Sequence, residues 1–267
     1  MQIDLNGTAA FDLALRAERF YAALTKTPRS NREPSLGGTL LYAGELDAEG
    51  RALIVAANIA GAASLASTAD QAAQKQAVRD GVADFLVTSL DEALRILKNQ
   101  IRKRETVAVC IAAAPEAVEH EMLERGVLPN LLRPGAAVRE CAKFLIQGAQ
   151  QIQLSSLDEN QTLLAWSVAS APAQWLPKLD AIALDCLKPE DAPARRWLRL
   201  APRYLGRLSQ NQRLLRCNKE SAQKFLEQLR DQIEQGEIKV PVEVSLTTHG
   251  ESVLRSFTPP PPSKIER

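Results

Sequence analysis

Residues 107–113, VAVCIAA, form an unbroken apolar run between two stretches of helical periodicity. A run this short and this apolar suits a strand buried on both faces, as central strands of parallel sheets are. Parallel neighbours need crossovers, and the chain supplies one on each side. Residues 92–104 place Ala93, Leu94, Leu97 and Ile101 at helical spacing behind Asp91 as a cap, and Pro115 opens a helix through Arg125. The same alternation runs from Gly7 to Gly148. Strands are expected at 39–44, 62–67, 84–89 and 127–132, and helices at 11–24, 52–60, 70–80 and 136–147, with Gly81 and Gly148 as stops. Residues 25–38, with Pro28, Pro34 and Gly37-Gly38, read as a loop. The pattern predicts an α/β fold with a doubly wound, mostly parallel sheet and a C-terminal helical extension.

After residue 150 the style changes. A strand is expected at 162–169, mostly helix over 175–235 with breaks at Pro177, Pro189, Pro193 and Pro202, and a strand at 240–248. Pro259–Pro262 keep the tail, 257–267, out of helix and central strand, so it reads as exposed and extended. The expected division is 1–150 as the α/β domain and 151–267 as a mostly helical region with one or two strands.

Composition bounds the function. Hydrophobic residues at 45% supply a sizeable core, and aromatics at 4% leave that core to Ala, Leu, Val and Ile. Lys+Arg of 33 against Asp+Glu of 32 gives a net charge of +1, which offers no global argument for a nucleic-acid or membrane partner. No apolar stretch reaches the ~18 residues of a membrane span. The N-terminal residues lack the charged and apolar regions of a signal peptide, and a cytoplasmic location is expected. Cys110, Cys141, Cys186 and Cys217 form no CxxC pair, against a zinc or redox motif. The first three sit on apolar stretches and read as core, whereas Arg216 and Lys219 give Cys217 a basic setting that would lower its pKa. His120 and His249 are the only histidines, and no metal centre is expected. Glu116, His120 and Glu124 share a helix face at i, i+4 spacing, but the acidic run around them reads as a solvated face.

The segment 192–219 carries eight cations, among them Arg195, Arg199, Arg203 and Arg207, and no Asp or Glu. A spacing of four would align those arginines on an unbroken helix as an anion-binding row, although Pro202 speaks against continuity. The plainer reading is a solvated basic face.

Three blocks carry a family resemblance: SLGGTLLYAG (35–44), NIAGAASLAS (58–67) and RDGVADFLVTSLDEALRILK (79–98), continued in register by RETVAVCIAAAPEAVEHEMLERGVLPNL (104–131). Over residues 7–145 the chain resembles the central Rossmann-like, NAD-binding domain of the urocanase (urocanate hydratase) family. The resemblance implies a Rossmann-like fold. It also implies a tightly held NAD+ that acts as an electrophile in the hydration of urocanate. The positions it assigns to the cofactor are Gly44, Glu45, Asp47, Glu49, Gly50, Asn58, Thr68 and Ala114.

The chain departs from the family at these places. The family's glycine-rich run of GLGGMxGAQ type is here Gly44-Glu45-Leu46-Asp47-Ala48-Glu49-Gly50-Arg51, which sets three carboxylates where phosphates would lie. Each like-charge pair at about 5 Å costs about 3 kcal/mol at an effective dielectric of about 20. Arg51 would offset one such pair. Thr68 stands where an acidic residue takes the ribose hydroxyls. Ala113-Ala114-Pro115 replaces a Gly-Asn turn, and Arg133-Pro134-Gly135-Ala136 replaces a Gln-Thr-Ser segment. The family's separate catalytic regions find no match. The expected function is therefore a urocanase-like protein without NAD or hydratase activity, and catalytic residues are not assigned. It would act by binding a small molecule or a protein, including a second copy of itself. An enzyme or nucleotide binder with a remodelled loop, NAD included, is the alternative. Nucleic-acid binding through residues 195–219 is the third reading.

Overall fold

The computed structural model describes residues 9–27, 35–135, 138–154, 156–206, 210–248 and 251–259. Two compact units divide the chain, residues 1–155 with 203–208 and residues 156–202 with 209–267.

In the first unit, β1 (Leu40–Glu45), β2 (Ala63–Ser67), β3 (Phe85–Val87), β4 (Val107–Ile111), β5 (Leu131–Leu132) and β6 (Gln150–Gln151) form a six-stranded sheet in the order β3-β4-β2-β1-β5-β6. Its strand pairs are parallel. The helices are α1 (Ala9–Lys26), α2 (Ala48–Ala60), α3 (Gln71–Arg79), α4 (Leu90–Lys103), α5 (Pro115–Glu124) and α6 (Cys141–Ile146). This is the Rossmann-like, doubly wound architecture the alternation predicts.

Burial explains the pattern. β2 and β4 are buried from end to end. Leu40 and Tyr42 of β1 share a core with Leu94 and Leu97 of α4, Val118 and Met122 of α5 and Phe144 of α6. The alternate residues Leu41 and Ala43 turn to the other face, which α2 covers with α1 packed on it. Sandwiched between sheet and helix, α2 is buried continuously from Ala52 to Ala60. A helix apolar all round is one that has neighbours all round.

Element ends follow local hydrogen bonds. Ser89, not Asp91, caps α4: its backbone is extended and its Oγ accepts from Glu92 N, while Asp91 in the first turn pairs with Arg125. The expected strand 127–132 shrinks to Leu131–Leu132, because Val127 N closes α5 onto Met122 O at 2.8 Å. Residues 136 and 137 of the expected helix 136–147 lie outside the described residues, 138–140 form a turn, and α6 follows.

The second unit departs further from expectation. β7 (Gln161–Val168), β8 (Gln212–Asn218), β9 (Val242–Thr248) and β10 (Glu251–Phe257) form a four-stranded antiparallel sheet in the order β10-β9-β7-β8. The region read as helix through 235 thus contains β8, and β10 adds a strand to those expected. Helices α7 (Pro172–Cys186), α8 (Ala192–Leu205, of which residues 203–205 belong to the first unit) and α9 (Lys219–Glu234) accompany the sheet. α7 and α8 run unbroken through Pro177 and Pro202. A proline removes one helical hydrogen bond, and the buried Trp175, Leu176 and Leu179, or Trp197, Leu198 and Ala201, hold each helix together around it. Trp166 of β7 meets Phe225 of α9 with ring centroids 5.1 Å apart. Among the described residues no helix is long and apolar enough to cross a membrane.

Candidate functional site

The winding of the first sheet reverses at β1. The chain leaves β1 through α2 to β2 on one side, and β5 later takes the other side. In open α/β sheets the crevice outside the carboxyl ends of such strands is where ligands bind. Here it is bounded by the β1–α2 turn and the residues after β5.

The turn is built around two glycines. Gly44 has φ +67°, a conformation that costs a side chain and not a glycine. Pairing with β2 slips by one position between Tyr42 and Gly44, which bends the end of β1. Leu46 N donates to Ser67 O at 3.1 Å and holds the turn to β2. Asp47 then caps α2, its Oδ1 accepting from Gly50 N at 2.8 Å. A Cβ on Gly50 would lie 2.1 Å from Glu45 O, so the helix approaches the strand only as glycine.

Across the crevice stands Arg133, immediately after β5, with its N–H donating to Tyr42 O at 3.1 Å. Its Nη2 donates to Asp47 Oδ2 at 3.0 Å, and its Nη1 lies 3.0 Å from Asp47 Oδ1 and donates to Glu45 O at 3.2 Å. The guanidinium is buried, whereas the Asp47 side chain is half-exposed. Gln151 of β6 secures the arginine's turn through Arg133 O at 3.3 Å and Gly135 O at 3.0 Å. The other acidic residues are also engaged. Glu45 Oε1 accepts from Leu46 N at 3.1 Å, and Glu49 pairs with Arg16 of α1. Arg51, expected to offset a carboxylate of this loop, instead pairs with Asp80. The compensation comes from Arg133 and Arg16, which are remote in sequence.

Of the remaining cofactor positions, Thr68 and Ala114 lie at the same edge. Thr68 is buried after β2, with Oγ1 accepting from Asp70 N at 3.2 Å and its carbonyl accepting from Gln74 Nε2 at 2.8 Å. Ala114 is the N-cap of α5, without a side-chain cap bond. Asn58 is not with them. It lies near the end of α2, and its Oδ1 accepts from Thr106 Oγ1 at 3.0 Å just before β4, at the amino edge of the sheet. A crossover helix runs back along its strand, so its last turn is at the opposite edge from its first.

The six-stranded parallel sheet lies within a segment that matches a known family. The family model for the urocanase Rossmann-like domain matches residues 19–158, just over half of the 267 residues. The chain belongs to the urocanase family.

One group of buried polar residues in this urocanase-family domain escaped sequence reading. Glu119, read as part of a solvated acidic face, is fully buried. Its Oε1 accepts from the Tyr42 hydroxyl at 3.3 Å and its Oε2 accepts from Glu140 N at 3.0 Å. Tyr42 Oη also lies 3.4 Å from Ser67 Oγ. Burial raises the Glu119 carboxyl above its ordinary range, against the lowering effect of these hydrogen bonds. Burial likewise raises the Tyr42 phenol far above its ordinary value. The only sequence signal was the place of Glu119 beside Val118 and three before Met122, both on the core side of α5.

The basic segment of this urocanase relative is not one row. Arg195 Nη1 donates to Leu184 O at 2.8 Å and Leu187 O at 3.1 Å, capping the end of α7. Arg199 is exposed, with Nε donating to Arg195 O at 3.3 Å. Arg203 sits 5.5 Å from the Tyr204 ring centroid, and Arg207 lies outside the described residues. Arg213 pairs with Asp180 at 2.9 Å.

Cys217 reverses its expectation: it is buried in β8, and burial pushes its thiol up to about 12. Burial also raises Cys110 and Cys186 to about 11 each. His120 Nε2 lies 3.1 Å from Glu124 Oε1 on an exposed face, and no metal-binding group of three or more occurs among the described residues. His249 lies outside them.

Proposed function

We propose that this urocanase-family chain holds no NAD and acts by binding a small ligand or a protein, not by hydrating urocanate. The observation that carries the reading is the fork between Arg133 and Asp47 at the crevice. In a dinucleotide-binding domain this place takes a pyrophosphate, held by backbone N–H groups at the start of the helix. Here Gly50 N is bonded to Asp47, and the arginine suited to a phosphate is already matched by a carboxylate. An entering pyrophosphate would have to displace Asp47 and then face Glu45 and Glu49. The residues present do not fit the group. Thr68, whose Oγ1 already accepts from Asp70 N ahead of α3, offers no carboxylate to a ribose.

The crevice is favoured over the basic segment as the functional locus. Arg195 and Arg213 of that segment are already bound within the chain.

The test is direct. Denature the purified protein and examine the released small molecules by mass spectrometry and ultraviolet absorbance, then titrate the native protein with NAD+ in a calorimeter. The expected result is no nucleotide released, no binding heat and no loss of urocanate absorbance on incubation. NAD at near-stoichiometric amount, or urocanate turnover that vanishes when the protein is omitted, overturns the proposal.

A further inference from the structure

One edge strand of the second unit's sheet is β10; the other is β8. All seven of its residues pair with β9 in one register without a bulge, and every residue from Glu251 to Ser256 is exposed. Val253 and Leu254, 53% and 49% exposed, project to opposite faces of this strand. Natural sheets blunt their edges with bulges, short strands or inward charges, because a regular edge is a template for another strand. β10 is regular over its full length, and Pro259–Pro262 end the strand-forming sequence just beyond it.

Its sequence, ESVLRSF, is complementary to itself. Set two copies antiparallel about a two-fold axis through Val253. Val253 then faces Val253 of the second copy, Glu251 faces Arg255 and Arg255 faces Glu251. These positions share one face, since alternate residues do. Leu254 faces Ser252 on the other. Neither Glu251 nor Arg255 makes an ion pair among the described residues, so both charges are available. The alternative two-fold register, about Leu254, sets Val253 against Arg255 and leaves both charges unmatched.

We propose that β10 is a homodimerisation edge. Two copies pair there antiparallel in the Val253-centred register, joining two four-stranded sheets into one continuous sheet. The contact is isologous, so it closes at two copies and does not propagate. The occupant is a second copy because the charge order of the strand matches its own reverse.

Sedimentation velocity of the full chain tests this over a wide concentration range. The wild type is expected to dimerise, and Val253→Lys, which sets two like charges at the axis, to be monomeric. Glu251→Lys and Arg255→Glu each turn both ion pairs into repulsions and should weaken the dimer by about tenfold or more. The double variant Glu251→Lys/Arg255→Glu restores both pairs in this register alone and should regain the wild-type constant. An equimolar mixture of the two single variants should form heterodimers in preference to either homodimer. Circular dichroism of each variant should match the wild type, because the altered side chains are exposed. A wild type that stays monomeric at high micromolar concentration overturns the proposal, as does a dimer indifferent to Val253→Lys. A double variant as weak as the singles overturns the register.

Discussion

Arg133 and Asp47 meet across the crevice between β5 and β1 as a fork: Nη2 donates to Oδ2 at 3.0 Å, and Nη1 lies 3.0 Å from Oδ1. The two ends are unequal. The guanidinium is buried and the carboxylate half-exposed, and Asp47 also caps α2.

That inequality predicts unequal losses. Asp47→Ala removes a helix cap, worth about 1 kcal/mol, and strands a buried cation, so a total of about 3 kcal/mol is expected. Arg133→Ala leaves a carboxylate that water and the helix N-terminus still satisfy, and about 1–2 kcal/mol is expected. Urea denaturation of both single variants and the double variant measures this. The double variant should fall well short of the sum, because the two residues share one interaction. Equal single losses that add would show that the fork contributes nothing to stability.

Glycine substitutions should separate contact from conformation. Gly50→Ala drives a methyl group against the Glu45 carbonyl and should cost about 3 kcal/mol or more, since backbone on both sides must yield. Gly81→Ala meets open space and only its φ of +69° opposes it, so about 1 kcal/mol is expected. Thermal melting of the two variants ranks them.

The buried Glu119 should make stability depend on pH in a defined sense. Its carboxyl is raised in the folded protein by burial. The stabilisation this gives is full below the unfolded value and is lost as pH rises through the folded one. Glu119→Gln keeps an acceptor for Glu140 N and removes the titration. The variant should gain on the wild type as pH rises from the ordinary carboxylate range through the raised folded value, read from urea midpoints. A constant difference between the two proteins across that range would contradict this.

Thiol reactivity should single out one cysteine. Cys110, Cys186 and Cys217 are buried with raised pKa values, while Cys141 is partly exposed at the start of α6. Brief iodoacetamide treatment of the native protein, followed by peptide mapping, should label Cys141 first. Burial raises that thiol too, so labelling should be slow and should quicken with pH. Rapid labelling of Cys217 in the native protein would restore the basic-environment reading.

The sequence by itself determined the first unit's parallel sheet and its crossovers. Every strand but β6, which no expected element covers, announces itself with its helix over a dozen or so neighbouring residues, through apolar runs, a proline at the start of α5 and glycine stops. The acidic character of the β1–α2 turn was equally plain. β8 was not legible, because QRLLRCN has no turn residue between it and α9, and its arginines blur the alternation. Nor was β10, whose exposure on both faces leaves no periodic pattern. Tertiary structure decided which cation meets which carboxylate. Arg51, nearest in sequence, went to Asp80, while Arg133 arrived from beyond β5 because that strand lies beside β1. It also carried Asn58 to the far edge of the sheet and buried Glu119 against Tyr42. Periodicity is a property of neighbours along the chain. Charge pairing and burial belong to neighbours in space, and only the strand order brings those together.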